Sequence, residues 1–462
     1  MKIAFIPIDD RPVCYNLPKE IAQIDRNLQF FIPERELLGG LHSVANIEGI
    51  FEWLKSIPKV DALIVSLDTI AYGGLIPSRR SNDTIDEIVE RLKKFKKLVD
   101  KNTKVYAVSS IMRISNNNCN EEEKKYWNLY GEKIFEYSYR FHELMEDETD
   151  VPKDIIDDYL ATRRRNFLIN KMYVEWFKDG FFSTLVFSKD DCAKYGFNVF
   201  ESEILETLIS QADVEDSVAL IKTGADEIPL SLMSRAIAEY SNIEPKFAIR
   251  FLAPASVDLI SKYEDVSIEK SVKGQLKLAK CKITGEEKSD IVLIVNNFEE
   301  VQGELVMGVN TKHFSSELSL PNKLYAVADV RFANGADRRF VRKLFRKKLD
   351  KKFYGYSAWN TSANSVGSLI CAALVRFLAV DYDEIAFKKV QAVRFLDDWA
   401  YQSIVRQKLK KQSDKPLISE LKKLMKPYEK KVFSALNSEF DVKYKFPWKR
   451  FFEVEVSVSL KD

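Results

Sequence analysis

Asp190-Asp191 is the most informative pair of side chains in the 462-residue chain. The two acids follow the apolar, β-type run Thr184–Phe187 after Ser188 and Lys189. Adjacent carboxylates at a strand end point in different directions, so one can address a leaving group while the other addresses a second part of a substrate. Two acids at short range also separate their pKa values, leaving one protonated near neutral pH. Glycoside hydrolysis uses such pairs. A second explanation needs no substrate: an N-cap acid followed by an acid in the first turn of a helix.

Other polar groups gather where apolar runs stop. Asp9-Asp10-Arg11 follows Lys2–Ile8, and Asp68 through Tyr72-Gly73-Gly74 follows Ala62–Ser66. Met112-Arg113 comes after Lys104–Ser109, and Gly224-Ala225-Asp226-Glu227 after Val218–Lys222. Asn334-Gly335-Ala336-Asp337 comes after Leu324–Val330, and Trp359-Asn360 with Asn364 after a segment near Tyr354–Ala358. Any one cluster is explained as a turn, where Asp, Asn and Gly are favoured locally. A cluster after strand after strand is better explained by a shared face, because parallel strands bring their C-terminal ends together. The expectation is that Asp9, Asp68, Asp190, Asp191, Asp226 and Asn360 share one pocket. Trp359 beside Asn360 and Asn364 offers an aromatic face next to amide forks, which suits a sugar; a buried ring ahead of a helix near Ser362 is the alternative. Three consecutive arginines, Arg163-Arg164-Arg165, cannot share one helix face, so one of them, with Arg165 the candidate, turns inward to an anionic partner. Gly39-Gly40 and Gly73-Gly74 match neither a dinucleotide nor a P-loop fingerprint.

The elements that must carry these residues alternate in type. Candidate strands are the runs above together with Leu28–Ile32, Phe247–Phe251 and Ile291–Asn296. Amphipathic stretches at Asp83–Asp100, Tyr126–Met145, Lys153–Lys178 and Glu201–Ala212 predict helices between them, with Asp83 and Thr84 as N-caps for the first. Alternation of this kind predicts an α/β fold with parallel strands. The strand count suits a (β/α)8 TIM-like barrel with a helical C-terminal extension; an open doubly wound parallel sheet with an extra lobe is the alternative. A barrel-like domain over 1–380, an insert around 265–285 and a mainly helical extension over 381–462 are expected. No internal repeat is visible.

Composition narrows the chemistry. Lys and Arg total 71 against 69 Asp and Glu, a net charge of +2, which gives no nucleic-acid footprint. Lysine-rich stretches such as Lys93–Lys97 and Lys408–Lys411 are explained as solvated helix faces. No apolar run approaches membrane-span length, and the N-terminal residues do not form a signal peptide, so a cytoplasmic protein with no membrane partner is expected. Five widely spaced cysteines fit a reducing compartment rather than a disulfide framework. With three histidines, His-rich metal sites and Ser-His-Asp arrangements are hard to build, so carboxylates, Arg, Asn, Tyr and Trp must carry any chemistry. No cofactor and no bound metal are expected.

The runs Ile6–Val13, Asp68–Arg79, Arg163–Asn166, Asp190-Asp191, Gly224–Glu227 and Trp359–Thr361 resemble a bacterial family of unknown function, number 4127, over nearly the whole chain. That family implies no activity. Leu185–Asp191 also resembles the strand and paired aspartates of O-GlcNAc hydrolases and hyaluronidase-like enzymes, which are TIM barrels using substrate-assisted cleavage. That resemblance implies that Asp190 orients a 2-acetamido group and that Asp191 is the general acid/base. The Trp359-Asn360 and Asn364 run is similar to their sugar-binding Trp and Asn residues. The chain departs from them in the Ser188-Lys189 that precedes the pair, and their other site residues have no match. A glycoside hydrolase acting on a small sugar is therefore the leading expectation. The alternatives are a Mg2+- or Mn2+-dependent hydrolase or phosphoryl-transfer enzyme using Asp9, Asp10 and Asp68, and a non-catalytic sugar-binding protein.

Overall fold

The computed structural model describes residues 1–190, 192–212, 214–215, 217–312, 318–412 and 414–461. The chain forms two compact units, each assembled from three segments. The first comprises Met1–Asp10, Phe30–Leu232 and Tyr263–Asp265; the second comprises Arg11–Gln29, Met233–Lys262 and Val266–Asp462.

A six-stranded sheet organises the first unit. Its strands are β1 (Lys2–Ile6), β2 (Gln29–Phe31), β3 (Ala62–Ser66), β4 (Lys104–Ile111), β5 (Thr184–Lys189) and β6 (Val218–Thr223), in the order β2-β1-β3-β4-β5-β6. The pairs β1/β3, β3/β4, β4/β5 and β5/β6 are all parallel. The Ala62–Ser66 run is buried throughout, as expected of a parallel strand covered on both faces. Crossover helices begin where their caps dictate. Asn46 accepts from the Gly49 N–H at 2.9 Å to start the helix Ile47–Ser56. Thr84 and Glu87 form a reciprocal capping box for Ile85–Leu98, so Thr84 rather than Asp83 is the cap.

The second unit repeats this strand order with different residues. Its strands are β7 (Lys246–Phe251), β8 (Lys282–Ile283), β9 (Ile291–Asn296), β10 (Gly303–Glu304), β11 (Leu324–Asp329), β12 (Phe332–Ala333), β13 (Phe353–Ser357), β14 (Phe440–Lys445) and β15 (Glu455–Leu460). The five-stranded sheet runs β13-β11-β9-β7-β8, so that, as in the first unit, the second of its strands in chain order lies beside the first on one side and the rest follow on the other. All its pairs are parallel. β10 and β12 pair separately, and β14 and β15 form an antiparallel ribbon. The helix Ser362–Leu378 is buried along most of its length. The expected insert contains the helix Ile268–Leu278. The C-terminal region holds the helix Glu384–Arg394, an eleven-residue π-helix Phe395–Val405 and the helix Ile418–Leu436 before its ribbon.

The protein is thus a mixed α/β fold with two parallel sheets, and the open-sheet alternative fits the pairings; they do not show a closed eight-stranded barrel. Among the described residues, no helix is long and apolar enough to cross a membrane.

Candidate functional site

In an open parallel sheet the ligand crevice lies outside the carboxyl ends of the strands where the winding direction reverses. In the first unit that point falls between β1 and β3, whose neighbours in sequence lie on opposite sides. Asp9 and Asp10 follow β1, and Asp68 follows β3. Asp9 is buried. Around Asp10, its backbone N–H donates to the Gly39 carbonyl at 3.0 Å, and Arg35 Nε donates to the Asp10 carbonyl at 2.9 Å. The loops after β1, β2 and β3 meet so closely that a Cβ on Gly39 would stand 2.2 Å from the Gly73 carbonyl oxygen. Thr69 closes the same corner by donating from Oγ1 to the Pro7 carbonyl at 2.6 Å.

Asp68 lies in the first turn of the helix Leu67–Tyr72, which begins directly at the end of β3. Only 1 % of it reaches solvent, and Oδ2 accepts from the backbone N–H of Ser110 on β4 at 2.9 Å. Burial pushes its carboxyl up to about 6, against the opposing pull of the Ser110 hydrogen bonds and Arg79. Ser110 sits opposite Ser188 in the β4/β5 register, and the Ser188 hydroxyl donates to that of Ser110 at 3.4 Å. The chain of contacts therefore crosses three strand ends. Tyr72 is buried, with the Arg165 guanidinium 5.3 Å from its ring centroid.

Asp190 is the first residue after β5. Its carboxylate is 27 % exposed and lies 3.7 Å from Arg113, the cation that follows β4. Arg113 also pairs with Glu122 at 2.9 Å and Glu123 at 3.2 Å. Arg79, only 2 % exposed, joins the same two glutamates at 3.5 and 3.3 Å. Burial, and then the neighbouring Arg113 charge, lower the Arg79 pKa. Two guanidiniums and three carboxylates thus surround the end of β5. Asp191 lies outside the described residues.

The β6 end is a second acid-rich corner. Lys189 and Thr223 both donate to Asp265. Burial would raise the Asp265 carboxyl, but the Lys189 ammonium and these two hydrogen bonds hold it below its usual range. Asp226 and Glu227 are both buried, and Glu227 accepts from the Ala225 N–H at 3.1 Å. Burial pushes Glu227 up to about 8, with Asp226 adding to the shift and Lys222 opposing it. Burial lowers the Lys222 ammonium, while Glu227, Glu264 and Asp265 act the other way. Gly224 adopts φ +109°, and a Cβ there would stand 2.0 Å from Glu227 Oε1, so only glycine lets this carboxyl fold back over its own turn.

The arginine triplet in the helix Lys153–Lys178 turns two members inward, not one. Arg163 donates to the Met112 carbonyl at 2.7 Å and to Glu201 at 2.9 Å. Arg165 donates to the carbonyls of Ser78 at 2.9 Å and Ser81 at 2.6 Å, so it fastens the turn after the helix Leu75–Arg80 to its neighbour.

The remaining candidates belong to the second unit. Asp337 is the N-cap of the helix Arg338–Arg346, accepting from Arg339 N at 2.8 Å and Phe340 N at 3.3 Å, and it lies 3.4 Å from Arg331. Asn334, at φ +62°, donates to Glu304 at 2.6 Å. Trp359 is a buried ring packed on Phe452 at 5.0 Å, with Arg406 6.0 Å from its centroid. Asn360 accepts from Asn364 Nδ2 and, at 2.5 Å, from the Thr361 N–H, which ties it to the start of the helix Ser362–Leu378. Arg11 lies 5.4 Å from the Trp448 ring centroid and donates to Cys14 Sγ at 3.8 Å.

Sequence reasoning missed Arg79, Ser110, Glu122, Glu123, Lys189 and Asp265 in the first unit, and Asp329 in the second. Glu122 and Glu123 stand in an acidic run that reads as surface charge. Asp329 left one usable signal, a single acid at the end of an otherwise apolar strand. It is fully buried, takes hydrogen bonds from Asn296 at 2.7 Å and Tyr356 at 3.1 Å, and is pushed up to about 7 by burial and by Asp337. Among the described residues, no group of three or more His, Cys, Asp and Glu side chains is arranged to hold a metal ion.

No curated protein and no solved structure gives a significant match to the chain. A family model does match, over residues 3–457, and the chain belongs to the family described as Protein of unknown function (DUF4127).

Proposed function

We propose that this protein is a carboxylate-dependent hydrolase of the glycosidase type, acting on a hydroxylated small molecule at the C-terminal edge of the six-stranded sheet. The observation that carries the reading is the setting of Asp190: a solvent-reached carboxylate at the end of β5, 3.7 Å from Arg113. On one side of it lies Asp68, raised to about 6, and on the other Glu227, raised to about 8. Both of these acids are buried, so the acid/base pair of this reading is Asp190 with Asp191, and paired carboxylates are what cleavage of a glycosidic bond uses.

In this reading Asp190 and Asp191 act on the substrate. Asp190, positioned by Arg113, supports positive charge as it develops at the reacting carbon, or orients a 2-acetamido group. Asp191 protonates the leaving oxygen. In this reading Asp68 is a positioning residue: it is buried, and it holds Ser110 and, through it, the β4/β5 edge. The test is a screen of aryl glycosides, plain and N-acetylated, with and without EDTA. Activity is expected to survive EDTA. Asp191→Asn should lower kcat by about 10²–10⁴-fold on poor leaving groups and far less on activated ones, because proton delivery is the function removed. Equal losses on both classes would sink the Asp191 assignment. Activity lost in EDTA and restored by Mg2+ or Mn2+ would move the reading to metal-dependent hydrolysis through Asp9, Asp10 and Asp68.

A further inference from the structure

The second unit contains a cavity of about 1190 Å³ that the proposed hydrolase chemistry does not use. One wall is the helix Arg338–Arg346 and the turn after it, which contribute Arg342, Arg346 and Lys348. The facing wall is the helix Ile418–Leu436, which contributes Lys426, Lys430 and Lys431. Arg342 with Arg346, and Lys426 with Lys430, are four residues apart, so each helix presents a row of cations to the same hollow. Among the described residues, no acidic side chain lines it. Lys426 has a carboxylate partner nearby, Glu429 at 3.3 Å, and that carboxylate also accepts from the Tyr444 hydroxyl at 3.1 Å.

The floor is apolar. Trp399, from the π-helix, is 1 % exposed and packs edge-on against Phe345 at 5.3 Å and Tyr428 at 5.5 Å. Its indole N–H is buried, and no acceptor within the protein meets it among the described residues. Six like charges around one hollow give it a positive potential. All six cations are exposed, and they reach the hollow from its two walls.

We propose that this cavity binds a compact small molecule carrying several phosphate groups. Arginine forks and lysine point charges together are suited to several phosphate oxygens at once. The hollow is about as open as it is enclosed, and its volume takes one small molecule. Single-stranded nucleic acid needs exposed aromatic faces on which bases stack; of the two rings that line the hollow, Trp399 is buried and Phe345 half-buried. A net charge of +2 for the whole chain also provides no long-range field for a polymer, so the attraction is confined to the hollow. The proposal is independent of the glycosidase reading and survives its failure.

The probe is inorganic tripolyphosphate, titrated calorimetrically into the full-length protein at several NaCl concentrations. Saturable binding near one per chain, weakening as salt rises, is the expected result. Arg346→Glu with Lys430→Glu should weaken binding by at least about tenfold, whereas Lys125→Glu, an exposed lysine of the first unit, should leave it unchanged. If the double reversal fails to fold, Arg346→Gln with Lys430→Gln removes the charges without adding repulsion, and a smaller loss in the same direction is expected. No binding, equal binding by either pair of variants, or tighter binding of a single-stranded oligonucleotide than of tripolyphosphate would overturn the proposal.

Discussion

The Asp68 carboxylate and the Ser110 amide are joined across two strand ends at 2.9 Å, in a part-buried contact. A carboxyl at the end of β3 is thereby fastened to β4, while Ser110 faces Ser188 on β5. The same contact bears on stability. The Asp68 carboxyl is raised from 3.8 to about 6, so folding favours its protonated form. That contribution is complete below about pH 4 and is lost as pH rises through about 6. Asp68→Asn keeps the shape and the acceptor and stays neutral. Its stability relative to wild type should therefore increase between pH 4 and pH 8, by up to about 3 kcal/mol. Urea melts at the two pH values measure this; a constant difference would mean that the carboxyl is not desolvated.

Arg113 holds the solvent-reached acid of the proposed site, so Arg113→Gln should lower kcat more than it raises KM. A loss of at least about tenfold is expected, in line with the removal of a charge-assisted contact. Arg113→Lys, which retains charge but loses the fork, should recover part of it. A change in KM alone would make Arg113 a binding group.

Gly224 combines φ +109° with an approach of 2.0 Å between a hypothetical Cβ and Glu227 Oε1. Gly224→Ala should destabilise the first unit by about 2–4 kcal/mol through backbone strain and displacement of the carboxyl. Combining it with Glu227→Ala should return the steric part and leave the backbone part. Chemical denaturation of the two single variants and the double variant separates them, and strictly additive losses would show that the contact is not tight.

Asp337 performs two tasks, capping a helix and facing Arg331 at 3.4 Å. Asp337→Ala removes both and leaves a buried arginine short of a counter-charge, so a loss of about 3–5 kcal/mol is expected. Asp337→Asn keeps the cap and loses only the charge, so it should cost less. Equal losses for the two variants in denaturant melts would assign the whole effect to the ion pair.

The sequence alone determined the alternation of strands and helices, the positions of most strand starts and the concentration of polar residues after them. These follow from local causes: burial of apolar runs on both faces of a parallel sheet, and the caps and glycines that a chain needs where it turns. Strand ends were less legible. β4 and β5 read as stopping at Ser109 and Phe187, yet they run to Ile111 and Lys189, because Ser110 and Ser188 pair across the strands although neither is apolar. This extension makes Asp190 the first residue past β5 and turns the Ser188-Lys189 that precedes it into strand. Only the tertiary structure decided that one parallel series divides into two sheets with the same winding, since strand order depends on which distant runs pair. It also decided the fate of each charge. Arg163 and Arg165 turn inward while Arg164 is exposed, and Asp337 caps a helix where Asp190 stays open to solvent. An aspartate at a strand end looks the same in sequence in either role, because what separates the roles is the partner that distant segments bring to it.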